Sequence, residues 1–150
     1  MQLSRAEFLS HIEKIIDKKV VTSRKHMESI ELSIHSESKS TAGDKHDTSR
    51  ELMQQERNKA AQNLSNQMGM QKTLIQLGFI QQNDKIGFGS FFESHVFIFI
   101  GIALGKIFFN NVEVVCISPL SPLARSLEGM KVGESCKFNN IEYKIKMFVK

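Results

Sequence analysis

Between Ser4 and Thr41 the chain has neither proline nor glycine, so nothing there forbids one uninterrupted helix of about 35 residues. The only prolines, Pro119 and Pro122, lie close together in the second half. The two cysteines, Cys116 and Cys136, have no acid, base or metal ligand at a recognisable spacing. That argues against a thiol nucleophile and for buried structural thiols. No secretory leader precedes the helix signal at the first residues, which predicts a reducing, cytoplasmic setting. The longest apolar run, Val96 to Leu104, is far short of the roughly 20 residues that cross a bilayer, so no membrane span is expected. Strong charge is also missing. Of 150 residues 20 are basic and 16 acidic, a formal balance of +4, and 12 basic against 10 acidic residues up to Gly78 leave 8 against 6 after it. There is no polybasic tail, no basic recognition helix and no zinc motif, so readout of DNA is not indicated. The length suits one ordinary domain, or an extended helical arm joined to a small globular unit.

What is present is a long helical pattern. Ser4 followed by Glu7 has the spacing of a capping box. Leu9, Ile12, Ile16, Val20, Ser23, Met27, Ile30 and Ile34 then recur in steps of three or four, one narrow apolar stripe on an otherwise charged helix. Such a stripe calls for a single partner helix. Thr48 and Glu51 repeat the capping spacing, and Leu52, Met53, Ala60, Ala61, Leu64, Met68, Leu74, Ile75 and Leu77 continue to Gly78, a suitable stop. The expected arrangement is an antiparallel pair centred near residue 42, with Ile30 near Met53, Val20 near Leu64 and Ile16 near Met68.

After Gly78 the pattern changes to short apolar runs broken by glycine and asparagine. Strands are expected at Ile86 to Phe92, Val96 to Leu104, Lys106 to Phe109, Val112 to Ile117, Glu134 to Phe138 and Ile141 to Val149, with Asn110-Asn111 and Asn139-Asn140 as hairpin turns. Ser121 as N-cap, Pro122 at the first position and Gly129 past the end frame a helix of about two turns. The fold class is therefore α+β: a helical hairpin over residues 1–78 and a small antiparallel sheet with one short helix over 79–150.

Between the two long helices lies Thr41-Ala42-Gly43-Asp44-Lys45-His46-Asp47-Thr48. Asp44 and Asp47, three residues apart, read from spacing alone as solvated carboxylates or as a helix cap, and Asp47 also favours a helix start electrostatically. Two carboxylates cannot fill the six-oxygen shell of Mg²⁺. They can complete a metal site that another molecule supplies, which is how a stiff arm inserted into a partner's cleft would use them. The scattered histidines His11, His26, His35 and His95 read as surface or packing residues.

The order and spacing of these features resemble the bacterial GreA/GreB transcript cleavage factors over nearly the whole chain. The resemblance rests on the N-terminal helical pair, on Gly43-Asp44-x-x-Asp47, on Ile86-Gly-Phe-Gly-Ser90, on Ser121-Pro-Leu-Ala-Arg-Ser-Leu-Glu-Gly129 and on Lys131-Val-Gly-Glu134. It implies a coiled-coil hairpin with its acidic tip at 41–48, and a C-terminal domain of the FK506-binding-protein (FKBP) type without isomerase activity. That domain would bind bacterial RNA polymerase while the hairpin enters the secondary channel. Asp44 falls on the family's invariant tip aspartate, and Asp47 falls where the family usually has glutamate. On the resemblance both acids help hold a Mg²⁺ completed by the polymerase, so that the polymerase cleaves backtracked RNA. The chain would then be no enzyme by itself and would bind no cofactor when free. Ser121 and Pro122 match the family's docking loop, with Arg125 beside them and Leu120 in place of the usual asparagine or aspartate. Lys39, Lys45, His46 and Arg50 are placed either to approach RNA phosphates or to serve as ordinary surface charge. The nascent RNA 3′ end would be reached only indirectly, and the chain would act as a monomer. After Asp47 the family's Asn-Ala-Glu-Tyr is replaced by Thr48-Ser49-Arg50-Glu51. This leaves open an alternative, a regulator of the same architecture that occupies the channel without stimulating cleavage.

Overall fold

The computed structural model describes residues 2–38 and 46–150, and of residues 37, 38, 46 and 47 the backbone alone. It is α+β: two long helices, α1 (Arg5–Ser38) and α2 (His46–Phe79), precede seven strands and one short helix. The chain divides into two compact units. One comprises Met1–Glu13 with Lys72–Lys150, and the other Lys14–Gln71.

In the Lys14–Gln71 unit the apolar stripe of α1 is buried as its spacing predicts: Ile16, Val20 and Ile30 are closed off from solvent. Across to α2, Gln71 donates to Asp17 at 2.9 Å, the Ser23 hydroxyl donates to Gln67, and Arg57 donates to Glu31 at 3.3 Å. As residue numbers rise along α1 they fall along α2, and each pair is centred on residues 44 to 45. The expected centre near 42 is corrected by these contacts. The register is thus shifted toward higher residue numbers, and α2 starts at His46 and not after a Thr48 cap, so that Thr48 lies inside its first turn. It also changes the seam: Met68 is 38% exposed, and the half-buried neighbour of Ser23 is Gln67. Gly78 does not stop α2 either. It remains helical, and the helix ends one residue later at Phe79.

The other unit is built around a five-stranded sheet in the order β3-β4-β2-β1-β7. Its strands are β1 (Phe91–Glu93), β2 (Phe97–Ile100), β3 (Gly105–Phe109), β4 (Val112–Ile117) and β7 (Met147–Phe148), while β5 (Ser135–Phe138) and β6 (Ile141–Lys144) form a separate two-stranded sheet. The sheet is mixed, not antiparallel, because β2 and β4 run parallel with Phe99 beside Cys116. Asn110-Asn111 and Asn139-Asn140 are the predicted turns, all four at φ between 49° and 64°, the left-handed pair that suits the twist of a two-residue hairpin.

Period-two alternation sends successive side chains to opposite faces of this sheet. On one face Phe91 and Phe99 meet Phe8 of α1 at ring distances of 4.6 and 5.1 Å, and Phe109 meets it at 5.3 Å. Phe8, off the predicted stripe, is thus fully buried, as is Ile12 on it, while Leu9 is half-buried. On the other face Phe92, Ile98 and Ile100 pack with Ile86, Tyr143, Ile145 and with Ala124 and Leu127 of α3 (Pro122–Leu127).

Three expected strands are shorter by several residues, β2 ending at Ile100 and not at Leu104. Residues 86–90 form a turn in which Gly89 takes φ +90, open to glycine at no steric cost, and a β-carbon there would lie 3.1 Å from the Arg5 guanidinium. The C-terminal strand breaks after β6: Ile145 bonds back to Glu134, then the Lys146 N–H donates to the Glu93 carbonyl and β7 joins the large sheet. Because the chain changes sheets there, Tyr143 and Ile145 are buried as alternation predicts, but Ile141 and Met147 are each 45% exposed.

Candidate functional site

Of the acid-bearing segment, Asp44 and Lys45 lie outside the described residues. His46 and Asp47 open α2, with only their backbone described, and Arg50 is exposed one turn further on. The sequence therefore puts Asp47 in the first turn of a 34-residue helix, where a negative charge is favoured by the helix dipole. Among the described residues no group of three or more histidine, cysteine or acidic side chains is arranged to hold a metal. Two carboxylates by themselves cannot fill the six-oxygen shell of Mg²⁺.

The second candidate lies at the start of α3. The Ser121 hydroxyl accepts from the Ala124 N–H at 3.3 Å and donates to the Ser118 carbonyl at 2.7 Å, so it is engaged as the N-cap the spacing predicts. Ser118 in turn accepts the Leu120 N–H through its own hydroxyl at 3.1 Å. This cross-bonded turn holds Leu120 72% exposed at its apex, with Pro122 and Arg125 exposed beside it. Gly129 follows the helix at φ +81, the left-handed position at which the glycine was expected.

The motif residues are physically joined. The Ile86 N–H donates to the Met130 carbonyl at 2.9 Å, and the Gly129 N–H donates to the Ile86 carbonyl at 2.8 Å, tying the 86–90 turn to the end of the 121–129 segment. Within that turn Gly87 N–H donates to the Ser90 hydroxyl at 2.9 Å. The 131–134 segment is fixed next, Gly133 donating to the Ile145 carbonyl at 2.8 Å. The 86–90 turn is thus hydrogen-bonded to the end of the 121–129 segment, and the 131–134 segment to Ile145.

Neither cysteine is arranged as a nucleophile. Cys116 is buried on the Phe8 face of the sheet, and burial pushes its thiol up from 9.0 to about 12, the opposite of an activated thiolate. A cleft of about 480 Å³ beside β7 is lined by Leu3, Glu93, Phe97 and Phe148 among others and contains neither cysteine. Among the described residues no helix is long and apolar enough to cross a membrane.

One charged residue escaped the sequence pattern. Arg5 is only 8% exposed, its Nε donating to the Gly89 carbonyl at 3.0 Å and an Nη to the Leu77 carbonyl at 3.2 Å. Desolvation lowers its pKa. Leu77 lies in the last turn of α2, whose carbonyls lack helical partners, so a cation there meets the negative end of the helix dipole. The sequence signal was available in principle, a basic residue one position after the Ser4 cap, but nothing local distinguishes it from a surface arginine. No protein-family model, curated protein or solved structure matches the chain.

Proposed function

We propose that the protein is a Gre-type transcription factor: an antiparallel coiled-coil hairpin carrying Asp44 and Asp47 at its tip, and an FKBP-like domain that docks on bacterial RNA polymerase. The observation that carries the reading is the cross-helix register. Three independent contacts along α1 and α2 are centred on residues 44 to 45, the acid-bearing stretch. A probe needs a stiff pair of helices with its chemistry at the point where they meet, and this register meets that requirement. The exposed Leu120–Pro122–Arg125 turn, held by its own serine bonds, supports the docking part of the proposal.

On this reading the polymerase holds the catalytic centre, and the chain contributes two carboxylates. A Mg²⁺ shared there supplies Lewis-acid activation of water. Asp44 and Asp47 contribute oxygen ligands, and Lys45, His46 and Arg50 add positive charge near the RNA backbone. By itself the protein hydrolyses nothing. The test is RNA cleavage in backtracked polymerase complexes with wild type, Asp44→Asn and Asp47→Asn. Loss of stimulation in the variants with retained polymerase binding is expected; full stimulation by both rejects the assignment.

A second reading, a channel-occupying regulator without cleavage, is favoured by Thr48-Ser49-Arg50-Glu51 in place of the family's usual residues. Tight polymerase binding by wild type with no Mg²⁺-dependent cleavage would select it.

A further inference from the structure

We propose that the Ser23–Gln67 hydrogen bond is the element that sets a single register for the α1–α2 pair. Both residues are half-buried, and Ser23 lies between apolar positions of α1, with Ile16 and Val20 on one side and Met27 and Ile30 on the other. A heptad-like apolar seam tolerates a slip of seven residues, because apolar positions meet apolar positions again. The polar pair removes that tolerance. Displacing α2 by one heptad in either direction sets the Gln67 amide against buried Ile16 or Ile30, neither of which can accept or donate a hydrogen bond. Arg57, now bonded to Glu31, would move opposite Arg24 in one direction and Ser38 in the other. Both slipped registers therefore lose the Ser23–Gln67 bond along with the more exposed Arg57–Glu31 and Gln71–Asp17 pairs, and one adds a like-charge contact.

The consequence rests on the Gre-type reading. A heptad slip moves α2 along α1 by about 10 Å, which carries the first turn of α2, with Asp47 and Arg50, by the same amount. A Mg²⁺-sharing tip tolerates no such displacement. Ser23 and Gln67 are thus positioning residues, acting on the acids through the register of the two helices.

The test places nitroxide labels at Glu28→Cys and Asn63→Cys in the full chain carrying Cys136→Ser, with the buried Cys116 left in place, and measures the interlabel distance. The otherwise unchanged pair is expected to give one narrow distribution. Ser23→Leu with Gln67→Leu is expected to keep or raise the unfolding midpoint while a displaced second population grows on the order of tenfold. The swapped pair Ser23→Gln with Gln67→Ser is expected to restore the single distribution, which a merely apolar packing role would not do. Gln67→Ala gives a second route to the slipped population if the double leucine variant is poorly folded. One unshifted distribution in the double leucine variant or in Gln67→Ala, whichever is folded, overturns the proposal. The readout uses the free protein, so failure of wild type to bind polymerase rejects the Gre-type reading and leaves the register result standing.

Discussion

The sheet unit and the helical unit bury apolar side chains in different ways. Phe8 touches Phe91, Phe99 and Phe109, so its burial depends on residues scattered over the sheet. Ile16, Val20, Ile30 and Ala60 instead form a single file between two helices. A cluster of that kind fixes a structure through shape, because no other arrangement of the rings fills the same space. A file does not, because it can be slid along itself, and its uniqueness has to come from polar groups such as Ser23 and Gln67. The same sequence thus uses apolar packing for position in one unit and hydrogen bonding for position in the other.

The largest test of the contrast is Phe8→Ala. Removing a fully buried ring from an aromatic cluster costs about 3–5 kcal/mol. Ile30→Ala, in the file, is expected to cost about 2 kcal/mol, the low end for such truncations, because solvent and neighbouring side chains can close on a two-helix seam. The two units need not unfold together, so native-state hydrogen exchange is the suitable measurement. Phe8→Ala should lower protection of amides in β1, β2 and β4, and Ile30→Ala those of α1 and α2 between residues 20 and 64. Equal losses in both places from either variant would show that the units are not energetically distinct.

Next in size is Arg5→Met, which keeps the apolar stem and removes the guanidinium. The Gly89 carbonyl then loses its donor in a buried place and the Leu77 carbonyl keeps the Ile80 N–H alone, at a cost of about 1–3 kcal/mol. Arg5→Lys should recover part of the loss, since an ammonium reaches one carbonyl but cannot fork to two. A urea titration following the sheet unit separates these cases. A neutral Arg5→Met would mean that its desolvation had cancelled its hydrogen bonds.

How far these features were legible depends on whether their cause is local. The α3 cap at Ser121, the two Asn-Asn turns, Gly129 and the α1 stripe were readable because each is decided by a few adjacent residues. The buried role of Arg5 was not, because its partners are 72 and 84 residues away. The break after β6 was missed for the same reason: the alternation of Ile141, Tyr143, Ile145 and Met147 is continuous, and it is pairing with the distant β1, through bonds from Lys146 to Glu93 and from Val149 to Phe91, that turns the chain into the other sheet. In the candidate site, the capped turn at 118–125 follows from its sequence, but the bond that ties Gly129, past the end of α3, to the distant Ile86 does not. Asp44 and Lys45 lie outside the described residues, and for Asp47 the structure adds only that its backbone opens α2.

A smaller effect distinguishes the units by pH. The Cys116 thiol in the folded sheet is pushed up by burial from 9.0 to about 12. Between those values the unfolded chain's thiol has lost its proton while the folded one keeps it, so rising pH favours unfolding. The stabilisation is whole below pH 9 and is lost as pH rises toward about 12, at a slope of roughly 1 kcal/mol per pH unit at most. The measurement is the difference between wild type and Cys116→Val at pH 8 and pH 10, which isolates the contribution of this thiol. Wild type should lose more stability, and the loss should appear in the sheet unit. An equal pH response in both would exclude Cys116 as its source. Alkylation at neutral pH should correspondingly modify Cys136 before Cys116.

The smallest expected effect tests whether charge contributes to position in the helical unit. Arg57 and Glu31 lie 3.3 Å apart across the helices, with side chains 44% and 50% exposed. At that exposure solvent and salt screen the pair, and holding two long side chains together costs entropy, so Glu31→Gln should change stability by less than about 0.5 kcal/mol. Its effect on register should nevertheless be measurable once the Ser23–Gln67 bond is gone. In the Ser23→Leu, Gln67→Leu background, opposing charges at 31 and 57 still favour the native register over the slip that brings Arg57 opposite Arg24. Adding Glu31→Gln should therefore increase the displaced population in that background and leave the parent's single distribution unchanged. An increase in the parent as well would show that the exposed pair, and not the buried hydrogen bond, holds the helices in register.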